Sequence, residues 1–160
     1  MGASKKGGLP PFDNPPEHMV VGKLLEPAVL KLYTYLTGRP VNYCDQTYQH
    51  PQRRVQIFTP DGLCPTERRG VEAKVVDWHQ QRQWGDSADE IPERVRLQCW
   101  WYMSALDYPV WDVVALIGGR PRVYTVERDL VVEAAKLRRI EECYERFLGG
   151  HERTPLNGSW

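Results

Sequence analysis

The sequence predicts a single α/β (α+β) domain, a small sheet flanked by helices in the order α-β-β-β-α-β-β-α. Three observations predict it. The chain has 160 residues, about the length of one domain, with 41% hydrophobic and 11% aromatic residues, enough to bury a sizeable core. Three segments carry apolar residues at helical spacing. Between and after them lie short runs rich in β-formers, punctuated by glycine and proline.

The elements follow in chain order. Residues 1–16 are rich in glycine, proline and lysine and are expected to form a poorly ordered leader. Over 22–37, Leu25, Ala28, Val29, Leu32, Tyr33 and Leu36 recur at helical spacing, and Gly38 marks the stop. Pro27 fits this helix if regular structure starts near Glu26, because proline suits a first turn. Residues 41–48 and 55–59 read as a strand pair joined through His50-Pro51-Gln52-Arg53, and the apolar run around Glu72 completes a small sheet. Residues 77–91 lack a sustained period and read as a long loop carrying Trp78, His79 and Trp84. Pro92, with Val95, Cys99, Tyr102 and Leu106, predicts a helix over 92–106. Strands are expected at 110–117 and 122–127 around the Gly118-Gly119 turn, then a helix over about 130–147 closed by Gly149-Gly150. Residues 151–160 read as a loose tail, so the domain proper is expected over 17–150.

Charge and cysteine content narrow the function classes. Lysines and arginines equal acids, 21 against 21, so no global field draws a polyanion. Basic residues are nonetheless clustered at Arg53-Arg54, Arg68-Arg69, Arg94 with Arg96, Arg120 with Arg122, and Lys136 with Arg138-Arg139, pairs able to line a local groove. No apolar run approaches the about 18 residues of a membrane span, and the start lacks a signal-peptide core, which points to a soluble cytoplasmic protein. Cys44, Cys64, Cys99 and Cys143 show no C-x-x-C pair and read as reduced structural thiols, well ahead of an iron–sulfur cluster drawn from distant positions.

The chemistry concentrates in residues 60–74. Glu72 and Lys74 alternate onto one face of a strand, with Val71, Ala73 and Val75 on the other. If Asp61 ends a strand paired antiparallel to that one, a hairpin through residues 65–69 returns the chain and brings Asp61 beside Glu72. Two carboxylates and an ammonium then converge. Such carboxylates suit Mg²⁺, a hard cation that takes oxygen ligands, and a lysine beside them can orient water or neutralise phosphate charge.

The order of elements and the residues in them resemble the YqaJ-like viral recombinase nucleases, relatives of lambda exonuclease in the PD-(D/E)XK superfamily. The resemblance runs from about Met19 to Phe147. It rests on Gly22-x-x-x-Glu26-Pro27, Pro60-Asp61-Gly62, Glu72-Ala73-Lys74, Ile91-Pro92, Gln98-x-x-x-Tyr102, Val123-Tyr124 and Arg128-Asp129 in that order. It implies a restriction-endonuclease-like core with a small mixed sheet, and a metal-dependent DNA exonuclease acting on linear duplex ends in phage-type recombination. Asp61, Glu72 and the Ala73 carbonyl would hold Mg²⁺ or Mn²⁺, Glu26 would reach in from the first helix, and Lys74 would attend the nucleophile. Gln98 and Tyr102, one helical turn apart, would support the site and touch DNA. The resemblance also implies a homo-oligomer, a trimeric ring around the duplex, a single-strand annealing protein as partner, and the bacterial host cytoplasm as location. Where relatives carry some tens of residues before the Gly-x-x-x-Glu helix, this chain has its low-complexity leader. A module that keeps the fold for DNA binding or assembly without chemistry is the alternative; a complete Asp61, Glu72 and Lys74 set favours the enzyme.

Overall fold

The computed structural model describes residues 15–148 except Arg54 and Ala88, with the backbone alone for Phe147 and Leu148. The leader, apart from Pro15 and Pro16, and the tail expected at 151–160 lie outside the described residues, as do Gly149 and Gly150.

Helix α1 (Glu17–Thr37) packs on one face of a five-stranded sheet and α2 (Glu93–Leu106) on the other, with α3 (Leu130–Leu148) following the last strand. The main sheet contains β1 (Asn42–Tyr43), β4 (Gly62–Cys64), β5 (Arg69–Val76), β6 (Val110–Ile117) and β7 (Arg120–Glu127), in the order β1-β4-β5-β6-β7. Only β5 and β6 run parallel, joined by the crossover through α2; the other pairs are antiparallel, so the sheet is mixed. A separate antiparallel pair joins β2 (Tyr48–Gln49) to β3 (Ile57–Phe58).

α1 is longer than its apolar period predicts. It begins after Pro16, and Pro27 lies in its interior instead of its first turn. The carbonyl that Pro27 leaves without its i+4 donor belongs to Lys23, on an exposed turn where the loss is cheapest. The buried stripe is Glu26, Val29, Leu30 and Tyr33 at i, i+3, i+4 and i+7, while Leu36 stands exposed. Val29 and Tyr33 are common to the predicted and the observed face, and Tyr33 is fixed there by donating a 2.7 Å hydrogen bond to the buried carboxylate of Asp112 on β6.

Residues 41–48 do not form one strand. The chain breaks between Cys44 and Thr47, giving β1 to the main sheet and β2 to the pair with β3. β4 is also absent from the sequence reading, because three residues between Pro60 and Pro65 look like a turn. The hairpin of β6 and β7 turns at Gly118 and Gly119, both at positive φ, as their sequence predicts.

The core has two parts, one on each face of the sheet. Val29, Leu30, Tyr33, Cys64, Val71 and Val114 fill the α1 side. On the α2 side Trp111, Val113, Tyr124 and Val126 meet Val95, Cys99, Tyr102 and Met103. The 77–91 segment stays irregular but is anchored: Trp84 is buried against Tyr124 at 5.4 Å, and the Tyr124 hydroxyl donates to the Gly85 carbonyl at 2.9 Å.

Candidate active site

The site forms where the sheet is incomplete. β5 has eight residues, but β4 pairs with its first three alone, Arg69 to Val71. Beyond that point no strand among the described residues pairs with this edge of β5. Asp61 immediately precedes β4, and the register Gly62 opposite Val71 carries it to Glu72. Its Oδ2 accepts the Ala73 N–H at 2.8 Å, substituting for the missing strand. A residue in a strand points its N–H and C=O to the same side, so the Ala73 carbonyl faces the same open edge.

α1 closes this edge from one side. Glu26 turns inward from it, and a cleft of about 440 Å³ opens between Met19, Gly22, Lys23 and Glu26 of α1, Asp61, Glu72 to Val75 of β5, and Gln98 of α2. The alternation of β5 sends Glu72 and Lys74 toward α2. Lys74 Nζ donates to Glu72 Oε1 at 2.5 Å and to Gln98 Oε1 at 3.1 Å; Gln98 Nε2 donates to the Tyr102 hydroxyl at 2.8 Å. Gln98 and Tyr102 are thus one hydrogen-bonded relay on one face of α2, ending near the Thr59 carbonyl. On the α1 side, Lys23 Nζ sits 2.9 and 3.0 Å from the two oxygens of Glu26.

Burial sets the electrostatics. Asp61 is pushed well above its ordinary 3.8 by desolvation and by the charges of Glu72 and Glu26, against the Ala73 N–H and Lys74. Desolvation also raises Glu72, which Lys74 relieves in part. For Lys74 and Lys23 burial favours the neutral amine, but the neighbouring Glu72 and Glu26 outweigh it and hold both as ammonium ions. Glu72 Oε2 is buried without a hydrogen-bond partner, in a residue that lines the cleft. Among the described residues no three acidic, histidine or cysteine side chains are drawn into a closed cluster. Two of the three carboxylates are paired with lysines, Glu26 with Lys23 at 2.9 Å and Glu72 with Lys74 at 2.5 Å.

All the residues singled out from the sequence, Glu26, Asp61, Glu72, Ala73, Lys74, Gln98 and Tyr102, come together here or one contact behind. Sequence reasoning missed Lys23. Its signal was its spacing, three residues before Glu26 and so on the same helical face. Of the clustered arginines, Arg69 is committed to the core through buried Asp112 at 2.6 Å, whereas Arg68 with Asp107 and Arg122 with Asp86 form exposed pairs, and Arg53 donates to Gln56.

A mixed five-stranded sheet between helices, with Asp61 and the Glu72-x-Lys74 strand at its open edge, is the PD-(D/E)XK nuclease architecture. Solved structures of alkaline exonucleases share it. The alkaline exonuclease of Laribacter hongkongensis superimposes with a TM-score of 0.59 at 19% identity, over 85% of this chain and 76% of that one. A phage related exonuclease from Haemophilus somnus 129PT gives 0.64 at 14% identity, over 87% and 75%. At these identities the likeness is one of fold. The chain belongs to the YqaJ-like viral recombinase domain family, whose model matches residues 4–108. An uncharacterized protein YqaJ of Bacillus subtilis (strain 168) is 28% identical over 159 residues, covering 97% of this chain and 49% of the relative; the chain thus spans about half that protein's length.

Proposed function

We propose that this chain is a metal-dependent DNA exonuclease that hydrolyses phosphodiester bonds at the ends of linear duplex DNA, within a phage-type recombination pathway. One observation carries the reading: Glu26, Asp61, Glu72 and Lys74 line a single cleft at an open strand edge, with a buried carboxylate oxygen of Glu72 unpartnered. The family and the exonuclease fold support it. So does the structure of the Laribacter enzyme in complex with dAMP, a nucleotide of the class that exonucleolytic cleavage releases.

The donor set fits a hard divalent cation. Three carboxylates and a main-chain carbonyl offer only oxygen, and Asp61, raised first by burial and then by the charges of Glu72 and Glu26, is a group whose ionised form a cation favours. Glu26, Asp61, Glu72 and the Ala73 carbonyl would hold Mg²⁺ or Mn²⁺. When bound, the ion supplies Lewis-acid stabilisation of charge developing on the phosphoryl group. The chain's own residues do the rest. Lys74, fixed by Glu72 and Gln98, places a positive charge where the attacking water and the non-bridging oxygens meet. Gln98 and Tyr102 hold that ammonium in place. A homo-oligomer, a trimeric ring on the DNA, and a single-strand annealing partner belong to the same reading.

Purified protein incubated with linear duplex DNA tests it. Release of nucleotides with Mg²⁺ or Mn²⁺, reversible arrest by EDTA, and no turnover with Ca²⁺, whose flexible shell holds the nucleophile poorly, are the expected results. Undiminished cleavage in excess EDTA removes the metal mechanism, and DNA binding without cleavage under any of these ions supports the catalytically silent module instead.

A further inference from the structure

The cleft holds two lysines, and the proposed reaction uses one. Lys74 is gripped between Glu72 and Gln98 on two packed elements, whereas the Lys23 side chain is 52% exposed and reaches Glu26 from the rim of α1. Its ammonium lies 2.9 and 3.0 Å from the two Glu26 oxygens, and both residues line the cleft. The charge count is informative. With Asp61 ionised, as a bound cation favours, three carboxylates, two ammonium groups and a divalent ion leave the cleft one positive charge, equal and opposite to a phosphodiester.

Resting on the nuclease reading, we infer that Lys23 is a phosphate-positioning residue: in the free protein its ammonium occupies Glu26 in place of the cation, and when an ion takes that carboxylate it turns out to the DNA phosphate. An ammonium lying 2.9 and 3.0 Å from both Glu26 oxygens competes with an ion for that carboxylate, because two cations held on one carboxylate repel. Lysine suits the exchange. Its charge is compact, its four-carbon stem is flexible, and an exposed i,i+3 pair is weak enough to break.

The test compares wild type, Lys23→Met and Lys23→Arg in two measurements. Mn²⁺ titration calorimetry without DNA reads the first half: Lys23→Met is expected to bind Mn²⁺ about threefold or more tightly, the scale of removing one nearby like charge. Cleavage kinetics on linear duplex read the second. Lys23→Met is expected to raise KM about tenfold with kcat within about twofold, and to lower the salt slope by about one counterion, while Lys23→Arg keeps wild-type values. Methionine is a good helix former at a half-exposed position, and far-UV circular dichroism checks that the fold is kept. Mn²⁺ affinity in Lys23→Met equal to or weaker than wild type overturns the inference whatever the activity, because it leaves Lys23 a purely structural partner of Glu26. Unchanged KM and salt slope in a cleaving enzyme overturn it equally. A wild type that takes up Mn²⁺ yet neither binds nor cuts DNA overturns the nuclease reading and the phosphate half with it, a result recognisable because all three proteins then fail alike.

Discussion

Asp61 does two things at once: it caps the open edge of β5 through the Ala73 N–H, and it adds a carboxylate to a cleft that already holds Glu72 and Glu26. The first favours the fold; the second opposes it. Asp61→Asn keeps an acceptor oxygen and removes the charge, so it is expected to abolish cleavage, by at least about a hundredfold, without loss of stability. Glu72→Gln and Lys74→Ala are expected to do the same to activity, with unfolding midpoints near wild type; collapse of all three folds would instead make these residues structural. The sign of the pH effect follows. A carboxyl raised above 3.8 on folding holds its proton more readily in the folded state, so its contribution is complete below that value and is lost as pH rises through the folded pKa. Metal-free wild type is expected to lose thermal stability as pH climbs out of the acid range, and Asp61→Asn to lose less. Parallel melting curves for the two proteins in EDTA, from about pH 4 to 8, would contradict the assignment.

At the scale of elements, α2 is both core and support. Cys99, Tyr102 and Met103 are buried against the sheet, while Gln98, one residue earlier than Cys99, reaches Lys74 at the cleft. Gln98→Ala is expected to slow turnover about tenfold with little change in melting temperature, because it releases Lys74 without opening the core. Tyr102→Phe, which keeps the ring and deletes the hydroxyl, should cost about 1 kcal/mol and a smaller part of the rate. β5 carries the opposite sensitivity. A Cβ at Gly70 would lie 2.3 Å from the Trp111 ring on β6, its parallel neighbour, and the fully buried ring cannot move away. Gly70→Ala is therefore expected to destabilise the protein by about 2 kcal/mol, measured by chemical denaturation, with activity lost through unfolding and not through the site.

At the scale of the molecule, the net charge of zero is the constraint. An exonuclease that stays on a polyanion through many turnovers needs a basic track or enclosure, and three of the clustered arginines, Arg68, Arg69 and Arg122, are paired with Asp107, Asp112 and Asp86. Arg94, on α2, and Arg138 and Arg139, on α3, are exposed and remain open to a DNA or subunit contact. A ring of three chains is accordingly expected. Sedimentation at working concentration checks it: a monomer that still degrades long duplexes processively refutes enclosure, whereas a distributive monomer keeps the chemistry and loses the ring. Among the described residues no helix is long and apolar enough to cross a membrane.

Local grammar determined much of this protein. Turn glycines at 118–119, the period of α2, and the alternation of Glu72 and Lys74 on one strand are decided by residues within a few positions of each other, so they are legible in the chain. The approach of Asp61 to Glu72 was readable only on the condition that Asp61 ended a strand; it stands instead just before β4, whose register with β5 carries it there. Three things were not. β4 is too short to show a period, and it exists because β5 and β1 flank it. The face that α1 buries takes in Glu26 and Leu30 through contacts with distant strands, and its Tyr33 bonds to Asp112, 79 residues away. The open edge itself is the absence of a neighbour along the second half of β5, and no pattern in β5 records where its partner strand stops; only the tertiary pairing decided that, and with it where three carboxylates and two lysines meet.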